Sequence, residues 1–349
     1  MASRRFQPWR SLFPVRTDAD RVHFATTHDG WRLALSRYQP SRATRNFPVV
    51  LCHGLAASYI GFDLDPEVSL ARRLRSLGYD VWAIELRGHG LSDLPSLFGK
   101  QRYAWTFDDY LERDAPCILD FIRAETGIDG VHWIGHSMGG ILLYALIATG
   151  CKAIRSGVTV ASGLDYSVAE NDFAKIAPLR KYVRFLPALP LGLVASTMAP
   201  LSGRFRNAIE RFNTWPSNVE PHLVRRLNAN LFHAPPMSLL MQLASVLEPG
   251  GLRSVDDRIR YLDGLQGKDV PVLALAGTRD RQCPPKIAKV PVDALGPSGK
   301  LAVFGREHGH HDDYGHFDLL IGKNAAQEVL PSVFTWLDEH DASTPAKVA

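Results

Sequence analysis

The chain is expected to fold as an α/β protein: a mostly parallel sheet flanked by helices, with an α-helical cap inserted after the sixth strand. Three observations point there. Short, solidly apolar runs recur along the sequence, as in strands buried on both faces. Helix-like stretches alternate with them, which makes the sheet mostly parallel. Between about Leu164 and Lys268 the alternation stops and only helix-like, proline-broken segments remain.

In chain order, residues 22–39 read as a hairpin. Val22–Thr26 is the first strand, Asp29-Gly30 the turn, and Trp31–Leu35 alternates on the way back. Buried strands follow at Val49–Cys52, Val81–Ile84, Val131–Ile134, Val158–Val160, Val272–Leu275 and Leu301–Phe304. One helix is expected from an Asp65 N-cap, with Pro66 at its first position, to a stop at Gly78. Others run from Thr106 toward Gly127, directly after Ser137, and from about Asn324 to Glu339. Inside the insertion, Phe173–Arg184 and Pro221–Leu247 are helical candidates. The expected organisation is an arm over residues 1–20, a core over 21–164 and 269–349, and a helical cap or lid over 165–268.

Composition excludes several function classes. The chain has 349 residues, 46% of them hydrophobic and 22% charged, a globular balance long enough to bury a large core without disulfides. Cys52, Cys117, Cys151 and Cys283 are far apart in sequence and form no CxxC pair, which points to a reducing compartment, the cytoplasm. The net charge of +4 equals the four arginines Arg4, Arg5, Arg10 and Arg16 that precede the first acid, Asp18. The rest of the chain is balanced, so no basic face for nucleic acid is expected. That arm lacks a continuous apolar core for a secretory signal, and Pro8 and Pro14 interrupt any amphipathic helix, so it reads as an exposed arm. No repeat of fixed period occurs, so solenoids and propellers are excluded.

The chemistry concentrates at Gly135-His136-Ser137-Met138-Gly139, which fits G-x-S-x-G. The pattern alone is weak, and its context makes it specific. It leaves the strand Val131–Ile134 and opens a helix at Ser137, the strand-turn-helix a nucleophile elbow requires. A Cβ at 135 or 139 would crowd neighbouring backbone, hence the glycines. A serine hydroxyl needs a base, and the base a carboxylate to orient it. Asp280 ends an apolar strand where side chains reach the active edge of an α/β sheet, and His316 lies after the last strand. Asp165 is the rival acid; His308, His310 and His311 are the rival bases.

With these residues in place the sequence resembles the α/β-hydrolase superfamily, of the serine esterase/lipase kind. The loop Cys52-His53-Gly54-Leu55, the run Glu85-Leu86-Arg87-Gly88-His89-Gly90-Leu91-Ser92-Asp93 and Gly315-His316-Phe317-Asp318-Leu319-Leu320 are similar to that family. Ser69-Leu70-Ala71 through Gly78-Tyr79-Asp80-Val81-Trp82 is similar to its acid-lipase branch. The resemblance covers residues 22–164 and 270–340. It implies an oxyanion hole made by the backbone N–H groups of Leu55 and Met138. Relatives that open epoxides or remove halogens carry Asp at the elbow, and polyester synthases carry Cys. Ser137 therefore leaves acyl transfer, to water or to another acceptor.

The expected activity is hydrolysis of carboxylic esters with a hydrophobic acyl or alcohol part, through an acyl-enzyme on Ser137, Asp280 and His316, with no cofactor. Alternatives on the same triad are an acyltransferase or a thioesterase; a non-catalytic ligand receptor is a third. His308-Gly309-His310-His311-Asp312-Asp313 fits the start of a zinc signature, but only 33 residues follow His316, too few for the further ligands that family needs. A polar loop is the preferred reading there, with Asp312 and Asp313 as solvated carboxylates and His53, His89 and His136 as loop-packing residues. Phe185–Gly203 is nineteen residues without a charge, but Pro187, Pro190 and Pro200 interrupt it. One span there would put Ser137 and His316 on opposite sides of a membrane. It reads as lid, covering the pocket or making transient contact with a lipid surface.

Overall fold

The computed structural model describes residues 9–95, 101–204 and 208–342. β1 (Arg21–Thr26) and β2 (Arg32–Tyr38) form the expected antiparallel hairpin, closed by Gly30 at φ +88°. There follow β3 (Val49–Cys52), β4 (Val81–Ile84), β5 (Val131–His136), β6 (Ile154–Val160), β7 (Val272–Gly277) and β8 (Gly299–Phe304). They make one sheet in the order β1-β2-β4-β3-β5-β6-β7-β8. β2 is antiparallel to both neighbours and every later pairing is parallel.

β3, β4 and β7 are apolar and buried at every position because both faces are covered. Side chains alternate across a strand, so Val50, Trp82 and Trp133 join one apolar layer while Val49, Leu51, Val81 and Ile134 join the other. β3 lies between β4 and β5, where the strand order reverses. Loops leaving the C-terminal ends of β3 and β5 diverge there and open a crevice, the usual ligand position in such sheets.

Helix boundaries differ from the sequence reading where capping was misjudged. The first helix is Leu70–Ser76, capped by the Ser69 side chain, which accepts the Arg72 N–H. Asp65 instead closes a turn with the Glu67 N–H and pairs with Arg226. The stretch from Thr106 to Gly127 is helical throughout, with a capping box on Asp109 and a π turn over Tyr110–Asp114 ahead of Pro116. The last helix is split into Ala325–Glu328 and Leu330–His340, with Pro331 opening the second piece. The helix Pro285–Leu295 has no counterpart in the sequence pattern, because Pro284, Pro285 and Pro291 argue against one. Two of them stand at the N-terminus, where no N–H is required.

Between β6 and β7 the described residues form helices, including Asp172–Ile176, Leu191–Met198, Pro221–Asn230 and Met237–Leu243, and contribute no strand to the sheet. Among the described residues no helix is long and apolar enough to cross a membrane. Arg4 and Arg5 of the arm lie outside the described residues. Its described part is exposed but pinned rather than free: Asn230 Nδ2 donates to Phe13 O at 2.7 Å, and the Asp18 N–H to Asp63 Oδ2 at 2.8 Å.

Candidate active site

Ser137 stands between β5 and the helix Met138–Ala148 at φ +53°, ψ −118°, a backbone state an L-residue adopts only when its surroundings enforce it. They do. Its N–H donates to Val160 O at 2.8 Å, and its carbonyl accepts the Ser162 hydroxyl at 2.8 Å as well as the Gly140 N–H. A Cβ on Gly135 would lie 2.2 Å from the Gly139 carbonyl, and one on Gly139 would lie 2.2 Å from the Cys52 carbonyl. The glycines are therefore fixed by contact between backbones, as the motif requires.

The loop after β3 packs against this turn. A Cβ on Gly54 would sit 3.0 Å from the Ser137 Cβ, so Leu55 leaves the loop beside the serine. Met138 is the first residue of its helix, and its N–H has no intrahelical acceptor. Ala56, just after Leu55, is itself held at φ +56°. His53 organises the loop: Nδ1–H donates to Gly54 O at 2.9 Å and Nε2 accepts the Leu86 N–H at 3.2 Å. Burial brings its pKa down to about 4, so the ring is neutral near neutrality.

Asp280 and His316 meet. Asp280 Oδ2 lies 2.8 Å from His316 Nδ1, while Oδ1 accepts the N–H groups of Gln282 and Cys283 at 2.8 and 2.9 Å. Both side chains are buried. A carboxylate loaded with donors in this way keeps the proton of neutral His316 on Nδ1 and leaves Nε2 as an acceptor. His136, next to Ser137, joins the elbow to this pair: its ring is 4.8 Å from that of His316, and its Nε2 lies 3.2 Å from His316 O.

The rival residues are engaged elsewhere, His308 at the exposed surface beside Glu307. Asp165 accepts from Ser167 and from the Gly250 N–H. His310 lies against Phe304 and hydrogen-bonds Gly305, His311 pairs with Glu328, and Asp312 pairs with Arg306. Among the described residues no three His, Cys, Asp or Glu side chains converge on a metal position. Asp313 departs from its reading as a solvated carboxylate, since it accepts from the Thr278 hydroxyl and the Arg306 N–H.

Segment 212–218 and His233 carried no sequence signal, and Asp318 entered only as part of a motif, with no role of its own. Segment 212–218, from the insertion, crosses the acid and base loops. Gln282 Nε2 donates to Phe212 O at 2.8 Å, the Phe317 N–H to Asn213 O at 2.9 Å, and Asn218 Nδ2 to Asp313 O at 3.0 Å. Asp318, two residues after His316, accepts the Gly315 N–H and the Trp215 N–H, each at 2.9 Å. Burial pushes its carboxyl up to about 8 against the pull of those donors. His233 fastens the insertion to the loop after β3: its N–H donates to Ala56 O at 2.6 Å, and its Nε2 accepts the Gly90 N–H at 2.8 Å.

Comparison with known proteins agrees with this architecture. A family model for the alpha/beta hydrolase fold matches residues 48–323. Human lipase member K is 24% identical over an alignment of 352 positions, covering 90% of this chain and 86% of that protein. Mouse gastric triacylglycerol lipase is 30% identical over 169 positions, 45% of this chain and 43% of its own length. Among solved structures, the fold is shared with the monoacylglycerol lipase of Paleococcus ferrophilus (TM-score 0.61, 19% identity, 88% of this chain and 99% of that one). It is shared also with an esterase from Exiguobacterium antarcticum (TM-score 0.61, 18% identity, 91% and 100%). The chain belongs to the alpha/beta hydrolase family.

Proposed function

We propose that this alpha/beta hydrolase is a serine carboxylic-ester hydrolase acting on esters with a hydrophobic acyl or alcohol part. The observation that carries the reading is Ser137 held at positive φ between β5 and its helix, on a turn that packs against the loop of the Asp280–His316 pair. In this mechanism Ser137 Oγ attacks the ester carbonyl while Nε2 of His316 takes its proton. Asp280 holds the imidazole tautomer and stabilises the imidazolium. The N–H groups of Leu55 and Met138 stabilise the oxyanion, an effect worth about 3 kcal/mol of barrier per donor. His316 returns the proton to the departing alcohol, then activates water to release the acid from the acyl-enzyme.

The named relatives, lipases and esterases, support ester cleavage. Residues 165–268 act as a cap: segment 212–218 and His233 tie them to the loops of the proposed base and oxyanion hole. An apolar cap favours a hydrophobic substrate and transient contact with a lipid surface. The four cysteines, all unpaired, favour a reducing compartment, the cytoplasm.

The test is hydrolysis of p-nitrophenyl esters from acetate to palmitate by wild type and Ser137→Ala. Turnover that collapses in the variant supports the serine mechanism, and the chain-length optimum reports the depth of the apolar pocket. A variant as active as wild type would refute it.

A further inference from the structure

The face of the insertion that carries Lys181 to Leu186 has an unusual make-up. Nζ of Lys181 lies 4.8 Å from the ring centroid of Tyr182, and Cζ of Arg184 lies 4.8 Å from that of Phe185. Each cation thus lies over the aromatic residue that follows it, yet Tyr182 and Phe185 remain 71% and 80% exposed, and Leu186 is 45% exposed. Adjacent aromatic and aliphatic side chains left in water mark an interaction site. The segment is presented firmly: the Leu189 N–H donates to Pro235 O at 3.1 Å and the Met237 N–H to Pro187 O at 3.0 Å.

The stretch of sequence that contains it is basic. From Phe173 to Ile209 the sequence carries Lys175, Arg180, Lys181, Arg184, Arg204 and Arg206 and no acid. Lys181 and Arg184 also line a groove of about 720 Å³, with Met241 and Val255 as apolar wall. The groove's two carboxylates, Glu248 and Asp257, both pair with Arg253, and with Lys181 and Arg184 the three cations outnumber them, leaving a net charge of +1.

We propose that the Lys181–Leu186 segment docks this chain on an anionic phospholipid surface; the proposal rests on, and narrows, the lipid contact inferred above. Tyr182, Phe185 and Leu186 enter the boundary between headgroups and acyl chains, the apolar Phe185 and Leu186 toward the chains and the Tyr182 hydroxyl toward the headgroups. Lys181 and Arg184 extend along them to the phosphates, their stems apolar and their heads wet. The groove receives one headgroup between the cations and the apolar wall. Charge complementarity selects the occupant, since a rim in which cations outnumber acids is attracted by a negatively charged leaflet and much less by a zwitterionic one.

The experiment is flotation of the full chain with two vesicle preparations, pure phosphatidylcholine and phosphatidylcholine with about one-third phosphatidylglycerol. Wild type is expected to float with the anionic vesicles only, and to be released at roughly 0.5 M salt, where the Debye length is a few ångströms. K181Q/R184Q should lose about thirtyfold in partitioning, roughly fivefold for each cation near the surface. Y182S/F185S should also stay in solution, although its charge is intact. Equal flotation with both vesicle types, flotation with neither, or K181Q/R184Q floating like wild type would overturn the proposal, the last by shifting attraction to the arginine-rich arm. Hydrolysis of soluble p-nitrophenyl butyrate by the same preparations separates the two readings. Selective flotation without hydrolysis leaves the docking face standing and removes the esterase; hydrolysis without flotation does the reverse.

Discussion

Oδ2 of Asp280 lies 2.8 Å from Nδ1 of His316, and the other carboxylate oxygen is held by two backbone N–H groups. In the proposed mechanism the carboxylate is therefore already oriented before substrate arrives, and the cost of fixing it falls on folding rather than on the reaction.

Asp280→Asn should keep the fold and lower kcat by about 10³ to 10⁴, because an amide in this position no longer fixes the Nδ1–H tautomer. Steady-state rates on p-nitrophenyl butyrate, with urea unfolding as control, measure this. A rate within tenfold of wild type would take the acid's role away from Asp280.

Gly139→Ala and Gly127→Ala separate packing from backbone conformation. The first would drive a methyl to 2.2 Å from the Cys52 carbonyl, where no side chain can give way. Gly127 is at φ +71° with nothing within 4 Å of a Cβ. Gly127→Ala should cost about 1–2 kcal/mol, and Gly139→Ala distinctly more, together with the activity. Thermal unfolding of the two variants gives the comparison; equal losses would mean that the elbow tolerates a side chain.

Acid should destabilise the protein through His53. Its folded pKa is lowered to about 4 from 6.5, so its contribution is complete above pH 6.5 and is lost as pH falls toward 4. The unfolded chain takes up the proton first, and the loss approaches about 3 kcal/mol by the end of that window. Urea midpoints at pH 7 and pH 4.5 should differ less in His53→Gln than in wild type. An unchanged difference would assign the acid sensitivity to another group.

A second Ser-His-Asp chain is predicted to be inert. His132 Nδ1 lies 2.8 Å from Ser156 Oγ, and its Nε2 lies 3.3 Å from Asp341 Oδ1, with all three buried. Asp341 also accepts the N–H groups of Asn46 and Phe47, so the chain ties the C-terminal end to the loop before β3. A fluorophosphonate should label Ser137 and leave Ser156 unlabelled in peptide mass spectra. Ser156→Ala should retain ester hydrolysis and lose about 1–2 kcal/mol of stability. Label on Ser156 would contradict this.

The sequence by itself determined the sheet and the elbow. Both faces of β3, β4 and β5 are covered, so their apolar runs are continuous and legible, and a turn at positive φ between a strand and a helix leaves glycines at fixed offsets. Helix starts were less legible, because Asp65 and Ser69 can both cap and only packing selects Ser69. Tertiary structure alone decided which carboxylate meets His316: Asp165 and Asp280 both follow sheet strands, and Asp165 is consumed by Ser167 and Gly250. It also decided that segment 212–218 and His233 brace the loops around the site, bonds that join residues as much as 177 positions apart (His233 to Ala56). Local patterns record what a residue needs from its chain neighbours. Which distant group satisfies it is fixed only when the sheet order and the insertion bring the loops together.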